Sequence, residues 1–271
     1  MRPLGAGVGA AVRAAAQRLS DAGVPSAEHD AAALATYVLG ERALLASFDG
    51  GTQRRYDDLV ARRARREPLQ HLTGTAPFRH VELAVGRGVF VPRPETEGLV
   101  DLVLRACGPD TVAVDLCAGS GAIALAIATE RPGTEVHAVE ASAAALPWLA
   151  RNAGGVVTVH HGAVADVGGL VADVVVSNPP YLPLGLEVEP EVAADPPGAL
   201  WGGVDGLEVI REVVAAAARL LRPGGLLALE HDASHQPAVL ECLQRNGFQD
   251  VTGHRDLAGR DRYATGVRMS A

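Results

Sequence analysis

Asn178-Pro179-Pro180-Tyr181 follows an apolar run, Ala172–Ser177, that reads as a buried strand. Two consecutive prolines fix the backbone and remove two N–H donors, so the segment presents acceptors. The Asn178 side-chain oxygen and the Pro179 carbonyl can both accept hydrogen bonds from one NH2 group. That arrangement suits a reaction at a planar amide or amino nitrogen. Such a nitrogen is a poor nucleophile because its lone pair is delocalised. Two acceptors that hold both hydrogens aim the nitrogen and favour positive charge growing on it. Tyr181 offers an aromatic face to a planar group. Asn178, Pro179 and Tyr181 are therefore the candidate catalytic residues, and Pro180 joins them as a candidate substrate contact. No strong base is required, because the proton leaves after the new bond forms.

Upstream, the apolar run Thr111–Leu116 enters Asp115-Leu116-Cys117-Ala118-Gly119-Ser120-Gly121 and then an apolar helical stretch. Gly119 and Gly121 permit a tight turn and close approach of backbone to a ligand. A Gly-x-Gly turn after a strand serves a dinucleotide, a flavin, S-adenosylmethionine or nothing at all. Asp115 narrows the choice. A carboxylate at that strand end repels a pyrophosphate but can bridge to the amino-acid end of S-adenosylmethionine. Glu140 ends the next strand, about twenty residues on, where an acid can take both ribose hydroxyls. Loop and motif together indicate an S-adenosylmethionine-dependent methyltransferase acting on a planar nitrogen.

The elements that must position these residues alternate between strand and helix. Strands are expected at Thr111–Leu116, Glu135–Glu140, Val156–His160, Ala172–Ser177 and Gly225–His231, with helices at Ala122–Thr129, Ala143–Asn152, Gly206–Leu221 and Gln236–Asn246. Phe248–Thr252 and Arg262–Arg268 read as a closing antiparallel pair. The rhythm predicts a doubly wound α/β sheet. The first ~75 residues read as all helix, over Gly7–Ala22, Ser26–Leu39 and Arg54–Arg66. Ser26 is the expected N-cap, with Glu28 and Asp30 in the first turn; Gly23, Pro25 and Asp49-Gly50-Gly51 are the expected breaks. Between the two regions, Phe78, Val81, Leu83 and Val85 alternate, Gly86-Arg87-Gly88 reads as a turn, and Val89-Phe90-Val91 as the return strand of a hairpin. The domain boundaries are placed at 1–75 for a helical domain, 76–93 for a hairpin linker and 94–271 for the nucleotide-binding domain.

Hydrophobic residues make up 48% but aromatics only 4%, so the core must be built from Ala, Val and Leu. No apolar run reaches the ~18 residues of a membrane span. Met1-Arg2-Pro3-Leu4-Gly5 lacks the pattern of a signal peptide, so a cytoplasmic protein is expected. Cys107, Cys117 and Cys242 are far apart, which argues against disulfides or a thiolate metal site. His231 and His235 are four apart, but a strand ends near His231, so a shared helical face and a metal site are not expected. All 24 cations are arginine. Residues 1–75 hold 10 Arg against 8 acids (+2), and residues 76–271 hold 14 against 24 (−10), reproducing the total of −8. The acidic larger part is a poor general binder of nucleic acid. The run Ala61-Arg62-Arg63-Ala64-Arg65-Arg66-Glu67 is read as a solvated helix face rather than a nucleic-acid patch, since nearby acids nearly cancel it.

The sequence resembles the protein N5-glutamine methyltransferases that modify class I peptide chain release factors. The likeness spans nearly the whole chain. It is carried by Pro68–Gly74, Val89-Phe90-Val91-Pro92-Arg93-Pro94-Glu95-Thr96-Glu97, the Asp115–Gly121 loop, Ser177–Tyr181, Gly202–Leu207 and Leu221–Gly225. Pro92–Glu97 separates this family from DNA methyltransferases that share Asn-Pro-Pro-Tyr. The resemblance implies a class I, Rossmann-like fold with a seven-stranded mixed sheet and a small helical domain that docks the release factor. It implies S-adenosyl-L-methionine as cofactor, held by Cys117, Ala118, Gly119, Ser120, Gly121, Glu140 and Asn178, and the glutamine of a Gly-Gly-Gln loop as substrate. Some members carry an acid and an aromatic after the third strand, near the adenine. Gly162 and Ala163 fall there in this chain, so Ala163 is a candidate contact and Asp166 a candidate replacement for the acid. A glutamine of a ribosomal protein, or an adenine N6 or cytosine N4 of DNA or RNA, presents the same planar NH2 and is the alternative substrate. No dimer stripe is visible, and a monomer is expected.

Overall fold

The computed structural model describes residues 6–40 and 47–270. They form two compact units. One comprises the residues through Thr75 together with Val188–Ala194; the other comprises Ala76–Glu187 and Asp195–Ala271.

The first unit is helical: α1 (Ala6–Asp21), α2 (Ala27–Leu39), α3 (Gly50–Ala64) and the short α4 (Leu69–Thr73), which the sequence reading lacked. Leu19, Leu34, Tyr56, Leu59 and Leu72 meet in its core. Two local expectations are corrected. Asp49-Gly50-Gly51 starts a helix instead of breaking one. The Asp49 carboxylate accepts from the Gly51 and Thr52 amides, both at 2.8 Å, and the Thr52 hydroxyl accepts from the Asp49 amide at 2.9 Å. This reciprocal cap satisfies N–H groups that a helix start leaves open. Ser26 does precede α2, but its hydroxyl donates to Asp30 Oδ1 at 2.9 Å and caps no amide.

The arginine run also differs from expectation. Arg63 is buried, and its guanidinium bonds Asp30 at 2.7 Å and Glu191 at 2.9 Å. Arg66 is paired with Glu191 at 2.5 Å, and Arg62 with Glu67 at 2.7 Å. Arg63 on α3 and Arg66 just beyond it thus belong to an ion-pair network within the unit, while Arg65 between them is exposed.

In the second unit, a hairpin of β1 (Thr75–Phe78) and β2 (Val81–Ala84) precedes a 3-10 turn at Pro94–Thr96. The hairpin turns at Arg79-His80, not at Gly86-Arg87-Gly88, and Val89–Val91 is not a strand. Arg79 sits at φ 50°, a left-handed conformation. It is held there by Glu97 Oε1 on its amide at 3.0 Å and by Glu130 on its guanidinium at 2.5 Å.

The remaining elements are α5 (Glu97–Leu104), β3 (Val112–Leu116), α6 (Ala122–Glu130), β4 (Glu135–Glu140), α7 (Leu146–Ala153), β5 (Thr158–His161), β6 (Ala172–Ser177), α8 (Pro197–Leu200), α9 (Glu208–Leu220), β7 (Leu221–Glu230), α10 (Gln236–Arg245), β8 (Phe248–Arg255) and β9 (Asp261–Arg268). The seven-stranded sheet runs in the order β5-β4-β3-β6-β7-β9-β8. Its first five strands are parallel, and β9 pairs antiparallel with both β7 and β8. Alternate strand residues enter opposite cores. Ala113, Val174, Val176 and Ala228 pack with α5, α6 and α7, whereas Val114, Val175, Leu227 and Leu229 pack with α9 and α10. Burial on both faces explains the unbroken apolar strands.

The order places a topological switch point between β3 and β6. The chain leaves β3 toward β4 and β5, then returns to start β6 on the other side. Open α/β sheets bind ligands beyond the carboxyl ends of the strands at such a point.

Candidate active site

Leu116, ending β3, is in register with Ser177, ending β6, and the Ser177 hydroxyl donates to the Leu116 carbonyl at 2.6 Å. The glycine loop and the Asn-Pro-Pro-Tyr segment therefore leave the sheet side by side. In the loop, Cys117, Gly119 and Gly121 have φ of 63°, 56° and 84°. A Cβ on Gly121 would lie 2.7 Å from Leu149 Cδ1, whereas none of the protein lies within 4 Å of one on Gly119. The Gly119 edge of the loop is open for a ligand to approach. Glu140, at the end of β4, accepts from the Gly119 amide at 2.7 Å and the Ser142 amide at 2.6 Å. Ala118 and Ser120 are buried, and the Ser120 carbonyl accepts from Asn152 at 2.8 Å. Burial and the Glu140 charge push the Cys117 thiol up to about 12, so it is neutral at ordinary pH and is no nucleophile. Ala163 is exposed after β5, and its neighbour Gly162 donates to the Glu140 carbonyl at 3.1 Å.

Asp115 is 1% exposed. Its Oδ2 accepts from the Ala124 amide, in the first turn of α6, at 3.2 Å, while its Oδ1 is buried without a partner. Burial pushes this carboxyl up to about 8; the Ala124 bond opposes the rise and the Glu140 charge adds to it. The folded chain therefore holds a proton here that the unfolded chain, with a carboxyl near pH ~4, releases. Stability from this group falls as pH rises from ~4 to about 8. Asp115→Asn keeps the acceptor for Ala124 and loses the titration. Its Tm in the absence of ligand is expected to exceed that of the parent at pH 8 by on the order of 5 °C, the gap closing toward pH 5. A pH-independent gap would remove this assignment.

Pro179 and Pro180 are buried, and Asn178 and Tyr181 are half-buried. The Asn178 Nδ2 donates to Thr96 Oγ1 at 3.0 Å, which turns the amide oxygen the other way. The Tyr181 hydroxyl donates to Glu230 Oε1 at 3.2 Å. A Cβ on Gly202 would lie 2.5 Å from the Pro180 carbonyl oxygen, so Gly202 lets its loop close directly onto the motif. The Pro92–Glu97 segment is pinned from two directions. The buried Asp195 takes the Val91 amide at 3.1 Å and pairs with Arg93, and Tyr263 donates to the Glu95 carbonyl.

These acceptors fit the ammonium of an amino-acid end and a ribose diol. An orphaned buried acid lies behind the loop, an open glycine edge beside it, and a second carboxylate at the next strand end.

Residues 10–74 match the PrmC N-terminal domain, and residues 96–246 the methyltransferase small domain. A release factor glutamine methyltransferase of Mycolicibacterium smegmatis is 47% identical, over 96% of this chain and 97% of that protein. One from Streptomyces coelicolor is 48% identical, over 94% and 96%. This chain belongs to the release factor glutamine methyltransferase family. A solved methyltransferase from Pyrococcus furiosus, 19% identical over 82% of this chain and 100% of that one, has a TM-score of 0.54 and shares the fold.

For a release factor glutamine methyltransferase, the sequence reading missed Thr96 and Glu230. Thr96 lies within the Pro92–Glu97 segment, but only the fold brings it to Asn178. Glu230 carried a visible signal: it is a lone acid ending the apolar run Leu226–Leu229, as Asp115 and Glu140 sit at the ends of theirs. No described helix is long and apolar enough to cross a membrane.

Proposed function

We propose that this methyltransferase transfers the methyl group of S-adenosyl-L-methionine to the side-chain amide nitrogen of the glutamine in the Gly-Gly-Gln loop of class I peptide chain release factors. The observation that carries the reading is the Asn178 amide, its nitrogen engaged by Thr96 and its oxygen left to accept at the switch point. The Asn178 oxygen and the Pro179 carbonyl each take one hydrogen of the substrate NH2. Held so, the nitrogen presents its lone pair along one direction, and charge growing on it is stabilised as the new bond forms. Tyr181 packs on the planar amide. When bound, the cofactor would supply an electrophilic methyl, whose bond to the sulfonium sulfur breaks and leaves a neutral thioether. Asp115 and Cys117–Gly121 would hold its amino-acid end, Glu140 its ribose hydroxyls, and Ala163 would contact its adenine. The amide proton leaves to solvent after transfer.

The test is transfer of labelled methyl from S-adenosylmethionine to purified release factor and to a version whose loop glutamine is replaced. Label is expected on the intact factor alone; equal labelling of both would sink the glutamine assignment. A second outcome concerns the cofactor. Glu140→Ala removes a charged acceptor and is expected to weaken cofactor binding about 10–100-fold by calorimetry. An unchanged Kd would take Glu140 out of the cofactor site.

A further inference from the structure

The two ends of an asparagine amide have the same shape and differ only in hydrogen bonding. With its nitrogen toward the substrate, Asn178 would offer a donor where an acceptor is needed. The orientation must therefore be set from outside the motif. Thr96, 4% exposed, accepts from Asn178 Nδ2 at 3.0 Å. A hydroxyl has one proton, and the Thr96 side chain also faces the Glu230 carboxylate, whose buried Oε2 has no other partner. Ionised, that carboxylate accepts only, so the Thr96 proton points to it and the Thr96 lone pair faces Asn178. Tyr181 donates to the same carboxylate at 3.2 Å. A single acid, 2% exposed, thus takes the Tyr181 hydrogen bond and faces Thr96, two groups that flank the reacting position.

We propose that Thr96 and Glu230 are positioning residues: Glu230 sets the direction of the Thr96 hydroxyl, and Thr96 sets the Asn178 amide with its oxygen toward the substrate nitrogen. Only the kinetic arm of the test rests on the function proposed above. Protonation reverses the relay, because a carboxylic acid can donate to Thr96 and free the Thr96 proton for Asn178. Burial raises Glu230 to about 7, opposed by Thr96, Arg262 and Tyr181 and assisted by Glu95; Tyr263 also faces it. Turnover should rise as Glu230 ionises, giving an acid limb to the pH profile.

The chain has three asparagines, Asn152, Asn178 and Asn246, so protein labelled with 15N only at asparagine gives three side-chain NH2 signals. The Asn178 signal is assigned by its loss in Asn178→Ala. In ligand-free protein at pH 8, Thr96→Val is expected to speed hydrogen exchange of that NH2 about tenfold, and Thr96→Ser to restore it. With release factor as acceptor, Thr96→Val should lower kcat about 10–100-fold with little change in KM for the cofactor, Thr96→Ser should recover most of it, and Glu230→Gln should flatten the acid limb. If Thr96→Val does not fold, Thr96→Cys, a weak donor and acceptor, takes its place. Unaltered exchange in Thr96→Val, or Thr96→Ser matching Thr96→Val, overturns the relay. Failure of the parent enzyme to methylate glutamine overturns the proposed function instead, and the exchange measurement still decides the relay.

Discussion

Asn178→Ala is expected to reduce kcat for methyl transfer by about 10²–10³-fold, the size of loss seen when one preorganised transition-state contact is removed. The substitution removes the acceptor oxygen and leaves Thr96 without the Asn178 nitrogen, but it touches neither Asp115 nor Glu140. Cofactor affinity should therefore fall by no more than about tenfold. Asn178→Asp is the sharper companion. It keeps an oxygen toward the substrate but places a carboxylate, which has no proton to give, against Thr96 Oγ1. The Thr96 proton then turns to residue 178 and abandons Glu230. Partial activity is expected, above that of the alanine variant. The measurement is single-turnover transfer to release factor with bound cofactor quantified separately. Near-normal turnover in Asn178→Ala would remove this side chain from its role.

Arg63→Ala is expected to destabilise the helical unit by about 3–5 kcal/mol. The Arg63 and Asp30 side chains are only 5% and 3% exposed, and the guanidinium also reaches Glu191 and the Glu67 carbonyl. Truncation strands Asp30 with only the Ser26 hydroxyl and the helix start to compensate its charge. Combining Arg63→Leu with Asp30→Asn removes both charges and should cost far less than the sum of the single changes. Hydrogen exchange at the α2 and α3 amides reads the unit directly, without requiring the whole chain to unfold in one step. A loss under about 1 kcal/mol in Arg63→Ala would show that the cluster is solvated after all.

The sheet was legible in the sequence because its strands are buried on both faces. Val174-Val175-Val176 sends alternate side chains into two cores, so an unbroken apolar run was the correct signal. The acids near strand ends, Asp115 and Glu140, were legible because each follows a run without acid or arginine, Thr111–Val114 and Val136–Val139. The hairpin was misplaced because its turn is made by tertiary contacts. Arg79 adopts a left-handed backbone that glycine would normally supply, and it does so with Glu97 and Glu130 bonded to it from α5 and α6. No spacing rule points to that, whereas Gly86-Arg87-Gly88 has the composition of a turn without being the hairpin's. The arginine run was misread because the acids that hold Arg63 and Arg66 are not their sequence neighbours. Asp30 lies 33 residues before Arg63, and Glu191 lies 125 residues after Arg66. The same distance hid the support of the reacting site: Thr96 is 82 residues from Asn178, and Glu230 is 49 from Tyr181. The motif could be found from four residues, but what orients it could not.

Tandem mass spectrometry of release factor, after incubation with this protein and S-adenosylmethionine, tests the central claim most directly. One methyl group on the side-chain amide nitrogen of the Gly-Gly-Gln glutamine, absent when Asn178→Ala replaces the parent enzyme, is the expected result. A methyl group on any other residue, or none on release factor while nucleic acid in the same mixture is methylated, would contradict it.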